Sequence, residues 1–173
     1  GSNAFPWGSA TKKIQWRINA NSLGTVTSGN NITVIYFMMA TSGTNTYPIL
    51  NIGLKQGITQ FAGGGNFETG FTNVFSGTNV TKTGTAGGWI SFTLSTPFFY
   101  DPNQPLFIDV EQNASSATGM NQCQTSPAGP GSGRQYGNYG STAYTGVDPT
   151  VAHFGIDVVP AVPCSSIPSA NSV

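Results

Sequence analysis

The chain has 173 residues, a formal net charge of zero and only 7% charged residues, where an ordinary soluble domain carries about 25%. Its six Lys and Arg residues are scattered from Lys12 to Arg134, so they do not form the basic patch that displaces counterions from a nucleic acid, nor one suited to an anionic membrane. The hydrophobic fraction of 38% and the aromatic fraction of 12% are enough for one domain with one core.

Residues 1–4, "GSNA", read as an expression remnant outside the domain, which is expected to span residues 5–159. "KIQWRIN" (13–19) alternates Ile14, Trp16 and Ile18 against Gln15, Arg17 and Asn19, the period-two pattern of a half-buried strand. A single helical turn is expected around Asn21–Leu23. "ITVIYFMMA" (32–40) is apolar on both faces and predicts a central, covered strand. No apolar run approaches the roughly 20 residues of a membrane helix. "YPILNIGLKQ" (47–56) follows the turn "TSGTNT" and predicts a further strand, and "FTNVFSG" (71–77) predicts a short one. "GGWISFTLSTPF" (87–98) alternates Ile90, Phe92 and Leu94 against Trp89, Ser91 and Thr93. "PLFIDVEQN" (105–113) alternates Phe107, Asp109 and Glu111 against Leu106, Ile108 and Val110. "NQCQTSPAGPGSGRQYGNYGSTAYTG" (121–146) is expected to be one long loop, with flexible backbone at "GSGRQYG". "TVAHFGIDVVP" (150–160) turns Ala152, Phe154, Ile156 and Val158 inward. The tail from Pro160 to Val173, rich in Pro and Ser, reads as a linker toward a following domain. About seven strands without helical periodicity predict an all-β fold, an antiparallel β-sandwich. The irregular strand spacing favours a jelly roll.

Three segments taken together, "GWISFTLSTPFFYDPNQPLFIDVEQN", "GSGRQYGNYGS" and "PCSSIPSANSV", resemble a β-sandwich module in large secreted proteins of Bacteroidetes-type bacteria. Such modules sit beside Ig-like repeats. The resemblance implies a secreted or cell-surface location and adjacent Ig-like domains as partners. It supplies no catalytic residues.

Asp109 and Glu111 project from one face of a strand about 6.5–7 Å apart. Inverting glycosidases separate their carboxyls by roughly 6.5–9.5 Å, so spacing alone allows acid/base work. The stretch resembles part of the E-x-D-x-E strand of laminarinase-like glycoside hydrolases, in which the first Glu is the nucleophile. Phe107 stands at that position, which leaves double displacement without its first step. As bare charges the pair repel by about 2.5 kcal/mol at an effective dielectric near 20. A cross-strand Lys13 or Arg17 would remove most of that.

No cofactor is expected. One His and two separated Cys are too few for a zinc site, and for a structural calcium ion Asp101 and Asn103 in "YDPNQP" and Asp148 in "GVDPT" are the candidate oxygen ligands. The alternative for Asp101 is an Asx turn before proline. His153 and Asp157 share a strand face but lie about 13 Å apart, too far for a dyad. Cys123 and Cys164 are candidates for a disulfide. "NIT", "NVT" and "NAS" at Asn31, Asn79 and Asn113 fit the glycosylation pattern, which a bacterial source would leave without meaning.

Aromatic residues stand out in so uncharged a chain. Trp16 is expected to line the core. Trp89 opposes the inward set Ile90, Phe92 and Leu94 and is expected on an outer face. Tyr136, Tyr139 and Tyr144 either cover the sandwich edge or bind ligand. Exposed rings stack on the apolar face of a pyranose while neutral polar groups bond its hydroxyls. The expected function is therefore a non-catalytic module that binds a neutral glycan or cell-surface polymer, or mediates adhesion. Its candidate ligand residues are Trp89, Tyr100, Arg134, Tyr136, Tyr139, Asp109 and Glu111. A ligand-free structural spacer is the alternative, and a glycoside hydrolase using Asp109, Glu111 or Asp101 is a third.

Overall fold

The structure is a computed structural model and describes residues 1–161. Its strands are β1 (Ser2–Asn3), β2 (Lys12–Ile18), β3 (Asn30–Met38), β4 (Gly43–Lys55), β5 (Thr72–Gly84) and β6 (Trp89–Tyr100). They continue with β7 (Leu106–Gln112), β8 (Gln122–Thr125), β9 (Gly133–Gly137), β10 (Gly146–Asp148), β11 (Val151–Ala152) and β12 (Phe154–Pro160). A six-stranded sheet runs β10-β9-β2-β7-β4-β5, a three-stranded sheet runs β12-β3-β6, and a small third sheet runs β1-β8-β11. All pairings are antiparallel, and the protein is an all-β sandwich.

The alternation of apolar residues sets which faces meet. Ile14, Trp16 and Ile18 of β2 are buried, as are Ile32, Ile35 and Phe37 of β3 and Ile90, Phe92 and Leu94 of β6. Trp16 packs edge-on against Phe154 of β12 at 5.3 Å and tilts against Phe37 at 5.8 Å. These contacts tie the inner face of the larger sheet to that of the three-stranded one. β3 is the central strand of the smaller sheet, as its apolar run predicts.

Several expectations change. Ser2 and Asn3 pair with Cys123 and Gln122, so residues expected outside the domain contribute a strand. No helical turn forms around Asn21–Leu23, where Asn21 adopts a φ of 59° in an irregular turn. Residues 121–146 are not one loop. They hold β8 and β9 and lead into β10, and "GRQYG" is a regular strand paired to both β2 and β10. Its glycines mark close approaches rather than flexible backbone. A Cβ at Gly133 would lie 2.9 Å from the Asp148 carbonyl oxygen, and one at Gly137 3.2 Å from the Phe67 ring. Cys164 and most of the predicted linker lie outside the described residues.

The segment before β2 is packed as tightly as any strand. Gly8 donates its N–H to the Ala4 carbonyl at 2.6 Å and accepts from Thr118 N at 2.7 Å. A Cβ at Gly8 would come within 2.3 Å of the Met120 carbonyl oxygen. Backbone cannot yield as a side chain can, so Gly8→Ala is expected to destabilise by about 1–3 kcal/mol through overpacking. A denaturant midpoint unchanged from wild type would contradict this.

Candidate functional site

The carboxylate pair Asp109 and Glu111 lies on the outer face of the larger sheet. Cross-strand register puts Lys13 opposite Glu111, Gln15 opposite Asp109 and Arg17 opposite Phe107. Lys13 Nζ stands 3.8 Å from both Asp109 Oδ2 and Glu111 Oε2, the neutralising position anticipated for a cross-strand lysine. Arg17 does not share this role, because its register partner is the apolar Phe107. Glu111 Oε1 also accepts the Gly140 N–H at 2.8 Å.

This outer face is itself covered. The stretch between β4 and β5, residues 56–71, crosses it as a strap. Gln15 exchanges two hydrogen bonds with the Glu68 backbone, donating to its carbonyl at 2.8 Å and accepting from its N–H at 2.9 Å. Phe61 packs edge-on against Phe107 at 5.2 Å. Lys55 anchors the strap with a 2.8 Å ion pair to Glu68. The consequence is burial of Gln15 and Phe107, both read from sequence as outward-facing. Asp109 lies in the same shielded row, and its Oδ1 is buried without a hydrogen-bond partner. Loss of solvation raises its pKa from an ordinary 3.8 to about 6, against the pull of Lys13. Asp109 is thus an ion-paired element of the sheet surface largely shielded by the strap, whereas Glu111, sharing Lys13, borders a depression of about 580 Å³ with Phe67 and Gly140.

The remaining candidates separate. Tyr100 is fully buried in the core, and burial raises its pKa. It is not an accessible ligand contact. Arg134 is buried and grips both oxygens of Asp148 at 2.9–3.1 Å. It also lies over the Tyr136 ring at 5.1 Å, and Tyr136 packs on Phe5. Arg134 and Tyr136 therefore hold the sheet edge together, and Asp148 is occupied by its arginine and by the Thr150 N–H at 3.0 Å. Asp101 closes an Asx turn, accepting from Asn103 N at 3.0 Å, Asn103 Nδ2 at 3.2 Å and Gln104 Nε2 at 3.1 Å. Among the described residues no group of three His, Cys, Asp or Glu is placed to hold a metal ion. His153 Nε2 meets Thr125 Oγ1 at 3.0 Å. Tyr139 is half-buried between β9 and β10.

Trp89 is the candidate that stands open. It lies on the outer face of the smaller sheet, 48% exposed, where the alternation of β6 puts it. Tyr36 of β3 meets it edge-on, 6.4 Å between ring centroids. The Tyr36 hydroxyl donates to Asp157 Oδ2 at 2.6 Å. That bond holds the Tyr36 phenol above its usual pKa and fixes the direction of the carboxylate. Gly155 sits opposite Tyr36 in the ladder, and a Cβ there would contact the Tyr36 side chain at 3.4 Å and Trp89 at 3.6 Å. Its absence leaves a shallow depression of about 320 Å³ bounded by Tyr36, Trp89, Gly155, Ile156 and Asp157. Sequence reasoning found Trp89 but missed Tyr36, because β3 reads as apolar on both faces. The position of Tyr36 between the inward-facing Ile35 and Phe37 was the available signal.

Comparison with known proteins finds no matching family model, no significant match among curated proteins and none among solved structures.

Proposed function

We propose that this protein is a non-catalytic binding module for a neutral glycan, displayed outside the cell or on its surface, with the Trp89 platform as its contact. The observation that carries the reading is a large indole, 48% exposed on a sheet face, set beside Tyr36 and Asp157 at a depression that Gly155 leaves open. The ring presents a π-face to the C–H side of a pyranose. Asp157 keeps acceptor capacity for sugar hydroxyls beyond its bond to Tyr36. Ser91 and Thr93 continue the exposed neutral row along β6. The surroundings favour a neutral sugar over a charged one.

Affinity electrophoresis through gels containing neutral polysaccharides tests this. Trp89→Ala is expected to weaken the retarded interaction at least tenfold, about 1.4 kcal/mol, while the protein stays folded with a loss of about 1 kcal/mol from the Tyr36 contact. Gly155→Val, which fills the depression, is expected to act likewise. Retention unchanged in both variants would refute the assignment. A protein retarded by no neutral polysaccharide would favour a ligand-free spacer.

A further inference from the structure

A second depression lies on the opposite side of the sandwich, beside the strap. It has a volume of about 530 Å³. Phe61 and Gln60 of the strap, Tyr144, Val147 of β10 and Arg17 of β2 bound it. Gln135 of β9, between Gln15 and Val147 in the ladder, forms part of its floor.

The charge arrangement here differs from the Trp89 platform. Arg17 donates from Nε to the Thr59 carbonyl at 2.6 Å and from Nη1 to Asn19 Oδ1 at 2.8 Å. Both acceptors are neutral, and among the described residues Arg17 enters no salt bridge. Its guanidinium lies against Gly131, where a Cβ would come within 2.6 Å of Nη1. Nη2 makes no hydrogen bond within the described residues, so the group is held in place with donors to spare. Asp148 also borders the depression, but Arg134 holds both its oxygens. The local balance is one uncompensated positive charge beside two aromatic rings, in a mostly apolar recess.

We propose that this recess binds an acidic sugar, a hexuronic acid residue whose carboxylate pairs with Arg17 and whose ring face rests on Phe61 or Tyr144. A guanidinium with spare donors matches a planar carboxylate better than any other side chain does. A single cation suits a single carboxylate, and the apolar walls suit the C–H faces of the ring that carries it. The site is independent of Trp89, so its success or failure does not decide the neutral-glycan reading.

The test is calorimetric titration with trigalacturonic acid, with its neutral methyl ester as control. Wild type is expected to bind the acid at least tenfold more tightly than the ester, with affinity falling as salt rises. Arg17→Gln is expected to lose this preference, while Trp89→Ala retains it. Because Arg17 also ties down the strap, Val147→Glu gives a second arm. Val147 is 61% exposed, so the substitution spares the fold and brings a repelling charge to the recess, and it is expected to weaken acid binding at least tenfold. Equal affinity for acid and ester, no acid binding at all, or full acid binding by a folded Val147→Glu protein would each overturn the proposal.

Discussion

Trp7→Ala is expected to cost about 3–5 kcal/mol of stability, a large share of the roughly 5–15 kcal/mol that holds a domain folded. Trp7 lies outside any strand, yet it is fully buried. Its ring stacks on Phe92 of β6 at 5.2 Å with planes 20° apart. It meets Phe37 of β3 edge-on at 4.7 Å and Tyr47 of β4 at 6.0 Å. One side chain thus joins strands of both main sheets. Its carbonyl is an anchor as well, accepting from Tyr47 Oη at 2.6 Å and Asn45 Nδ2 at 2.9 Å. Truncation would leave a cavity that two hydrogen-bonded sheets cannot collapse to fill. Trp7→Phe keeps a ring on Phe92 and removes an indole N–H that is buried without a partner, so it is expected to lose much less. Urea unfolding followed by circular dichroism separates the two. Equal losses for Ala and Phe would show that the stacked ring is not what carries the stabilisation.

The parts of this fold that were legible in sequence are those where one strand face meets the other sheet. Ile14, Trp16 and Ile18, and Ile90, Phe92 and Leu94, alternate cleanly because their opposite faces differ in environment. Trp89 falls on the outer side by the same count. Tyr100 shares the even-numbered register of Ile90, Phe92 and Leu94, so the same rule puts it inside. Its place next to the turn "DPNQP" obscured that. The larger sheet was harder to read because its outer face is covered by a segment with no strand periodicity. Residues 56–71 contain Gly63, Gly64 and Gly65, all at positive φ, and look like open loop. Phe61, Phe67 and Phe71 were the only hint that the segment folds back onto the sheet. Alternation reports that two faces differ, not what lies over the second one. Gln15 and Phe107 do face outward from the sheet, but their burial beneath the strap, and the recess beside Arg17, could not be foreseen. β9 escaped notice for a related reason, since its glycines serve close packing yet have the composition of a loop.

Asp109→Asn is expected to stabilise the protein at pH 7.5 and to be neutral or destabilising by up to about 1 kcal/mol at pH 4. The sign follows from the buried position. Asp109 titrates near 6 in the folded protein rather than near 3.8, so the native state holds its proton more tightly than the unfolded chain does. Its contribution is most favourable below about pH 4, declines as pH rises to about 6, and is constant beyond. Two pKa units correspond to a ceiling of about 3 kcal/mol, and desolvating an asparagine amide in its place takes back about 1 kcal/mol. A net gain of about 1–2 kcal/mol at neutral pH remains. Glu68 and Asp101 act in the opposite sense. The Lys55 bond depresses the first and the Asn103 N–H the second, so their contributions fade as pH falls through the acid range. Subtracting the variant's stability from wild type at each pH isolates Asp109 from both. Urea midpoints at pH 4, 5, 6 and 7.5 supply that difference, and a variant less stable than wild type at pH 7.5 would mean that the Lys13 pairing outweighs the desolvation. Lys13 keeps Glu111 as a partner in the variant, so no cation is stranded by the change. An Asp109→Asn variant that is more stable and still retained by a neutral polysaccharide gel would show that neither the fold nor neutral-glycan binding depends on this carboxylate.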